Sequence, residues 1–236
     1  MTHRKALLPR RGFTLVELLV VIAIIGLLMS LLLPAVQKIR QRGTVVKATS
    51  QINQIAIACA QFKADNDVYP PDNATEAAKV LQAMYPRSFS GATYNGGGTL
   101  TTPNQFLVHF LQGPQGTGWA IDSPTFPGVG ATTKKGPWKP FPASELNTFN
   151  QVIDPWGLPL QYRASGTGGA YGPTPAGGIA FYTDAGGKAF NFGGVQVMSS
   201  GPNKQMGSGG TLPMSGNDGF DDLANFNGGY QLGARP

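Results

Sequence analysis

A single acidic residue lies inside a long apolar run near the start of the chain. Residues 11–36 read RGFTLVELLVVIAIIGLLMSLLLPAV, and Glu17 is the only acidic residue among them. A carboxylate at the centre of a membrane helix costs about 2.5–3.5 kcal/mol, and less near the end of the helix. Glu17 therefore either reaches the headgroup layer or has a positively charged partner.

A cut between Gly12 and Phe13 would supply such a partner. It would leave an ammonium group on Phe13, four residues before Glu17, and residues at this spacing lie on one helix face. The two charges could pair along one helix or between neighbouring subunits. In the second case each helix would neutralise the next and set the register of the subunits during assembly.

This segment resembles the type III signal of type IV pilins and of the pseudopilins of type II secretion. The resemblance implies that a prepilin peptidase removes residues 1–12 on the cytoplasmic face and that Phe13 becomes N-methylated. It further implies that Glu17 pairs with the amine of an adjacent subunit in a helical filament. The matching features are a basic leader, Gly12, Phe13, Thr14, Leu15, Glu17 and the apolar helix.

A second set of candidate ligands lies in the Gly-rich C-terminal stretch. Hard oxygen donors on a flexible loop suit calcium, which takes about six to eight ligands. The same residues could instead cap turns and a short helix at residues 221–226. The donors in question are Asn203, Asp218, Asp221 and Asp222.

The C-terminal stretch also takes part in the resemblance. A Tyr-Pro pair after the first helix, the DPWG turn and the paired acids near the end are similar to the major, G-type pseudopilin. The close match covers residues 10–72, 154–162 and 197–226. It implies a calcium ion in the C-terminal loop, with Asn203 where the family has an acid.

The segment that positions Glu17 is long enough to cross a membrane. Phe13 to Leu33 are 21 residues with one charge, which as a helix span about 31 Å, or one hydrocarbon core. A cleavable secretory signal is shorter. We therefore expect residues 13–34 to form a single-pass transmembrane and assembly segment. Pro34 is expected to kink or melt the helix because it removes a backbone hydrogen bond.

The basic leader predicts a cytoplasmic N-terminus and an exported C-terminal part. The resemblance implies that this membrane is the bacterial inner membrane, with residues 35–236 as a periplasmic domain. Apolar residues continue at steps of three and four up to Phe62, which predicts one helix from Phe13 to about residue 65. Its second half should pack on the domain and bury Cys59. A short second helix is expected between Asn73 or Thr75, as its cap, and Pro86.

The remainder of the chain predicts a small sheet with long loops. Residues 86–236 hold 30 of the 33 Gly and 15 of the 19 Pro. Within them, residues 87–150 read as a loop-rich insertion around aromatic anchors such as Trp119 and Trp138, with 106–111 as a strand or a helical turn. A type I turn is expected at DPWG, followed by a half-buried strand. Further strands at 178–184 and 194–200 would complete an antiparallel sheet that packs on the helix. The fold class is therefore α+β, and the resemblance implies a pilin-like arrangement of the long helix on the sheet.

The composition argues against two classes of function. Without residues 1–12 the chain has 14 basic against 12 acidic residues, too even a balance for nucleic-acid binding. No Walker A, G-x-S-x-G, H-E-x-x-H or C-x-x-C motif occurs, and His109 is the only histidine after the leader, so we do not expect an enzyme. With one cysteine there is no intrachain disulfide, and a calcium loop could take the place of that staple.

A structural filament subunit is the function that these features favour. The expected role is a pseudopilus subunit in type II secretion, which assembles with copies of itself, with other pseudopilins and with an inner-membrane platform to help export folded proteins. The alternative is a type IV pilin that builds a surface fibre for adhesion, motility or DNA uptake. A third possibility is a binding module on an uncut signal anchor.

Overall fold

The computed structural model describes residues 13–84, 100–113, 119–120, 134–166, 171–174, 178–184, 186–206, 209–211 and 222–226. The chain divides into two units, Met1–Thr44 and Val45–Pro236. Of the expected anchors, Trp138 lies within the second unit, whereas the side chain of Trp119 lies outside the described part.

The described residues of the first unit, from 13 onward, belong to one helical stretch. Helix α1 is Leu15–Asn66, which confirms the predicted helix of about 50 residues. All residues from 13 to 43 are exposed, and α1 is long and apolar enough to cross a membrane. Pro34 lies inside α1, and the chain remains helical on both sides of it, so the helix does not melt at this proline.

In the second unit α1 contributes a buried apolar stripe. Its buried members follow the predicted spacing because residues three and four apart share one helix face. The helix ends where Asp67 adopts a left-handed conformation, with φ of 61°, just before two prolines. The stripe comprises Ala48, Ile52, Ile55, Ala58, Cys59 and Phe62.

Two shorter α-helices lie in the part of the chain that the structure describes. Helix α2 is Ala74–Met84, and Asn73 caps it by accepting a hydrogen bond at Oδ1 from the Glu76 amide at 2.9 Å. Helix α3 is Pro103–Gln112, so the ambiguous 106–111 stretch is helical. Val80 and Leu81 of α2 are buried in the same apolar cluster as α3 and the α1 stripe.

The central sheet has three antiparallel strands in the order β3, β5, β7. Strand β3 is Gln161–Ala164, β5 is Val195–Ser199 and β7 is Leu223–Ala224. Tyr162 pairs with Val197, and both are fully buried against the helices. The alternative of a short helix at residues 221–226 is therefore wrong, because Leu223 and Ala224 form strand β7 at one edge of the sheet.

Among the described residues, two strand pairs lie outside that sheet. Strand β1 (Trp119–Ala120) pairs with β2 (Lys134–Lys135) antiparallel, whereas β4 (Tyr182–Thr183) pairs with β6 (Gly210–Thr211) in parallel. The expected place of 178–184 in the antiparallel sheet is thus wrong. The reason is the Gln196 side chain, which accepts from the Tyr182 amide at 2.7 Å and donates to its carbonyl at 3.0 Å, and so occupies the position of a neighbouring strand.

Strand β3 also departs from the predicted half-buried pattern. Arg163, expected on the solvent face, is fully buried. Its Nε donates to Asp72 at 3.1 Å, and its terminal nitrogens donate to carbonyls of Ile179, Gly172 and Pro173. A buried guanidinium requires such partners. Arg163 therefore fastens the α1–α2 loop and the 172–179 segment to the sheet.

Helix α3, although it lies in the loop-rich 87–150 segment, is part of the core. Asn104 donates to the carbonyls of Val152 and Leu160 at 2.9 and 2.7 Å. Trp138 packs on Phe62 with ring centroids 4.5 Å apart, and its indole donates to Asp65 at 2.6 Å. The segment thus contributes to the core and is not only an appendage.

Within the described ranges one turn geometry occurs three times. The DPWG turn is confirmed by the hydrogen bond from the Gly157 amide to the Asp154 carbonyl at 2.9 Å. Each turn begins with a side chain that accepts hydrogen bonds from the amides two and four residues later. In each, the fourth residue has a positive φ. The turns are Asn147–Gln151, Asp154–Leu158 and Asp184–Lys188.

Candidate functional site

The first turn of α1 contains a closed set of hydrogen bonds around Glu17. The backbone amide and the hydroxyl of Thr14 donate to Glu17 Oε2 at 2.9 and 2.8 Å. The Glu17 amide donates in return to Thr14 Oγ1 at 3.2 Å. This is a capping box, in which a threonine and a glutamate three residues later satisfy each other's amides.

The capping box holds the carboxylate at the helix N-terminus. Amide groups without intrahelical partners carry partial positive charge there, and a carboxylate is stabilised beside them. Both side-chain contacts use Oε2, so Oε1 can accept a further hydrogen bond. Phe13, which directly precedes Thr14, is 79% exposed. The geometry thus places an acid beside the point at which the predicted cut would create an amine.

Thr14 is a functional residue for which the sequence-based reasoning assigned no structural role. Its signal was present, because Thr-x-x-Glu directly before an apolar run is the sequence signature of a capping box. The charge of Glu17 predicts a salt bridge with an amine. The hydrogen bonds between Glu17 and the neutral Thr14 explain instead why the helix starts at this point.

The helix beyond Glu17 exposes apolar side chains on every face. Leu27, Leu31 and Leu33 are 65%, 68% and 61% exposed, and the most apolar window of α1 has a mean hydropathy of 2.9 with none of it buried. A soluble monomer rarely presents a continuous apolar surface of this size. Lipid, or other helices of the same kind, must cover it.

The exposed face of α1 within the second unit is nearly uncharged. Among the exposed positions from Val46 to Ala64, only Lys47 is charged, and Val46 and Ile57 are 67% and 59% exposed. Depletion of charge together with exposed large apolar residues is typical of the centre of a protein–protein interface. Solvent-facing helices normally carry charged residues on this face.

The structure describes two of the four candidate calcium ligands. Asn203 is exposed, and its Oδ1 accepts from the Gln205 amide at 2.7 Å. Asp222 is fully buried, and its Oδ2 accepts from the Tyr182 hydroxyl at 3.2 Å. Both offer oxygen atoms of the kind that calcium takes, so their donor chemistry fits the ion. Asp218 and Asp221 lie outside the described residues, within which no group of three His, Cys, Asp or Glu forms a metal site.

A cavity of about 170 Å³ lies where the α1–α2 loop meets β3. The Lys63 ammonium lies 4.4 Å from the Tyr69 ring centroid. Asp72 pairs with Arg163, and Glu76 pairs with Lys79. Two of the acids that line the cavity, Asp72 and Glu76, are therefore already engaged in ion pairs within the fold.

His109 lies in α3 beside Phe110, with ring centroids 5.8 Å apart. Burial lowers its pKa to about 4, so the ring is neutral at pH 7. Burial raises the pKa of the Cys59 thiol, which accordingly stays protonated as the sequence suggested for a small buried hydrophobe.

Comparison with known proteins agrees with this geometry. Residues 8–33 match the family model of the prokaryotic N-terminal methylation motif. Type II secretion system core protein G of Escherichia coli (strain K12) is 30% identical over 149 residues, which cover 63% of this chain and 92% of the relative. The chain belongs to the type IV pilin-like family that includes this pseudopilin. The match explains why an apolar helix with an N-terminal acid precedes a small α+β domain.

Two further relatives support the same assignment. Core protein G of Pseudomonas aeruginosa is 29% identical over 160 residues, 68% of this chain and 78% of the relative. Fimbrial protein EcpC of Eikenella corrodens is 35% identical over 107 residues, 44% of this chain and 70% of the relative. No solved structure matches the chain. The aligned regions thus cover 70–92% of the length of these three relatives but only 44–68% of this chain.

Proposed function

We propose that this chain is a structural subunit of a type II secretion pseudopilus. Copies of it assemble through their N-terminal helices into a helical filament that helps export folded proteins. The observation that carries the proposal is the exposed apolar helix with Glu17 held by a capping box in its first turn. A structural role is favoured over catalysis because the chain resembles a core protein of a secretion system and a fimbrial protein.

Processing of the N-terminus prepares the subunit for assembly. A prepilin peptidase cleaves after Gly12, and the new amine of Phe13 is methylated. Glu17 Oε1 then accepts the amine of a neighbouring copy, and this contact sets the register. The motif match over residues 8–33 supports this sequence of events. Before assembly the mature chain crosses the inner membrane once, with its second unit in the periplasm.

The nearly uncharged exposed face of α1 between Val46 and Ala64 extends the assembly surface. Small and amide-bearing side chains there allow close approach of another protein surface without burying unpaired charges. Other pseudopilins and an inner-membrane assembly platform are the further partners that this role requires.

Glu17→Ala tests the proposal. The variant should insert into the membrane and be cleaved, because removing a carboxylate lowers the cost of insertion, yet filaments seen by electron microscopy should be lost. Glu76→Ala is the matched control, since it removes an acid that is paired with Lys79 in the second unit. The mass of the mature chain should correspond to cleavage after Gly12 plus one methyl group. Normal filaments from Glu17→Ala, or an uncut N-terminus, would refute the assembly role.

A type IV pilin is the second candidate, favoured by the 35% identity to a fimbrial protein. Both candidates use the same helix, so the site does not separate them. Deletion of the gene does: loss of enzyme secretion supports the pseudopilus, and loss of motility or DNA uptake supports the surface fibre.

Calcium is proposed as a stabilising ion of the C-terminal loop. Asn203, Asp218, Asp221 and Asp222 would hold it, and it would tie the end of the chain to the sheet without a disulfide. Addition of EDTA should lower the melting temperature of the purified protein, and Asp222→Asn should remove this dependence. An unchanged melting curve with EDTA would exclude the ion.

A further inference from the structure

Three basic side chains follow the apolar stretch of α1 within five residues. Lys38, Arg40 and Arg42 are all exposed, and in the part of the chain that the structure describes none of them forms a salt bridge. On a helix Lys38 and Arg42 share one face, while Arg40 lies on the opposite side. Their side chains therefore form a collar around the helix rather than a stripe.

No acidic residue lies close enough along α1 to neutralise this collar. Between Glu17 and Asp65 the sequence contains no Asp or Glu. Charged residues on solvent-exposed helices commonly pair with opposite charges three or four positions away. The absence of such partners leaves three cations available to an external anion.

The position of the collar along the helix indicates which anion this is. Residues 13–36 span about 36 Å as a helix, compared with a hydrocarbon core of about 30 Å and a full bilayer of about 40–45 Å. Lys38 and Arg42 begin about 3 and 9 Å beyond Val36. This range coincides with one headgroup layer, where the phosphate groups of phospholipids lie, and long basic side chains can adjust their depth within it.

We propose that Lys38, Arg40 and Arg42 bind the phosphate groups of anionic phospholipids in the periplasmic leaflet. Guanidinium and ammonium groups suit phosphate, arginine through paired hydrogen bonds and lysine as a point charge. The collar fixes the depth of the unassembled subunit. If the chain is a filament subunit, as proposed above, these lipid contacts must be released each time a copy leaves the bilayer.

The leader would not duplicate this function. Its four basic residues, Arg4, Lys5, Arg10 and Arg11, all precede the expected cut after Gly12. After cleavage the collar holds the only basic residues between Phe13 and Val46. The mature subunit therefore carries its membrane-proximal positive charge on one side of the span.

The experiment uses the full chain in nanodiscs that contain equal amounts of phosphatidylglycerol and phosphatidylcholine. Native mass spectrometry counts the lipids that stay bound after the disc is disrupted. The wild-type chain should retain phosphatidylglycerol several-fold in excess, because each basic residue near an anionic surface contributes up to about fivefold. The excess should disappear in the triple variant K38Q/R40Q/R42Q and should fall as salt is raised.

The matched control is K79Q/K188Q/K204Q, which removes the same charge from exposed positions of the second unit and should keep the excess. Equal retention of both lipids by the wild type, or an unchanged excess in the collar variant, would overturn the proposal. Discs of phosphatidylcholine alone with inorganic phosphate form another arm. Phosphate adducts there that vanish in the collar variant would mean general anion binding and would also overturn it.

Filament formation by the collar variant is a second, independent measurement. Loss of filaments in the collar variant with an unchanged lipid preference would assign the basic residues to contacts between copies of the chain and would refute the lipid site. The lipid measurement itself uses single subunits, so its result does not depend on whether the chain assembles into a pseudopilus.

Discussion

Two stretches of helix α1 differ in the exposure of their apolar side chains. In residues 15–44 of α1 every leucine and isoleucine is exposed, whereas in residues 45–66 the apolar residues Ile52, Ile55 and Phe62 are fully buried. From Leu18 to Val36 the first stretch is apolar around its circumference apart from Ser30, and the second stretch has one apolar stripe and one nearly uncharged face. Both stretches are helical, but only the apolar stripe of the second stretch packs against other residues of the same chain.

This contrast separates folding from assembly. Burial in the second stretch stabilises the domain by removing apolar area from water at about 25 cal/mol per Å². The first stretch gains nothing comparable from the fold of its own chain, so its apolar surface is available to lipid and to neighbouring helices. The same type of side chain should therefore matter for stability in one stretch and for assembly in the other.

A pair of truncations tests this division most severely. Phe62→Ala should lower the free energy of unfolding by about 3–5 kcal/mol, because it opens a cavity between Phe110 and Trp138. Leu28→Ala, which shortens a side chain that is 53% exposed, should change it by less than about 0.5 kcal/mol. Urea unfolding of the detergent-solubilised chain, followed by tryptophan fluorescence, measures both. Similar losses in the two variants would contradict the comparison.

A pH series sharpens the contrast through His109 in the second unit. Burial lowers the pKa of His109 to about 4 from its ordinary value of 6.5, so between these pH values the unfolded chain binds a proton that the folded chain excludes. The free energy of unfolding should therefore fall as pH decreases from 6.5 to about 4, by roughly 2–3 kcal/mol from this residue.

His109→Leu supplies the control for this series. This variant lacks the titrating group. Between pH 7 and 4.5 the free energy of unfolding should therefore decrease by about 2–3 kcal/mol more in the wild type than in the variant. Parallel curves for the two proteins would show that the ring is not held neutral by burial.

The smallest effect compares two copies of one turn. Asp154 is buried and also accepts from Ser199 Oγ at 2.7 Å, whereas the Asp184 turn lies nearer solvent. Asp154→Ala should cost about 2–3 kcal/mol because it leaves buried donors unsatisfied, and Asp184→Ala about 0.5–1 kcal/mol. Thermal unfolding of both variants measures the difference. Equal costs would indicate that the local turn, rather than its burial, determines the contribution.

Local patterns explain why much of the helical architecture could be predicted. The α1 stripe follows from spacing alone, and the cap of α2 follows from Asn73. The burial of Arg163 could not be predicted because its partner Asp72 is 91 residues away in sequence. The isolation of β4 could not be predicted either, since it depends on the Gln196 side chain in another strand.

The candidate site divides in the same way. Glu17 was recognisable because its type conflicts with its surroundings, and the Thr14 contact is readable from a four-residue pattern. Asn203 and Asp222 both carry a side-chain oxygen that could bind a metal ion. In the structure, however, Asn203 is exposed and Asp222 is fully buried. Exposure depends on the packing of Tyr182 and β7, which no spacing within the C-terminal stretch reveals.

The three repeated turns have a consequence for how the domain reaches its native state. Each closes through hydrogen bonds within five residues, and connections of this length form in microseconds or less. The chain has a single cysteine, so no oxidation step limits the pairing of the segments that these bends connect. A domain built this way can fold at a rate that is independent of thiol–disulfide catalysts.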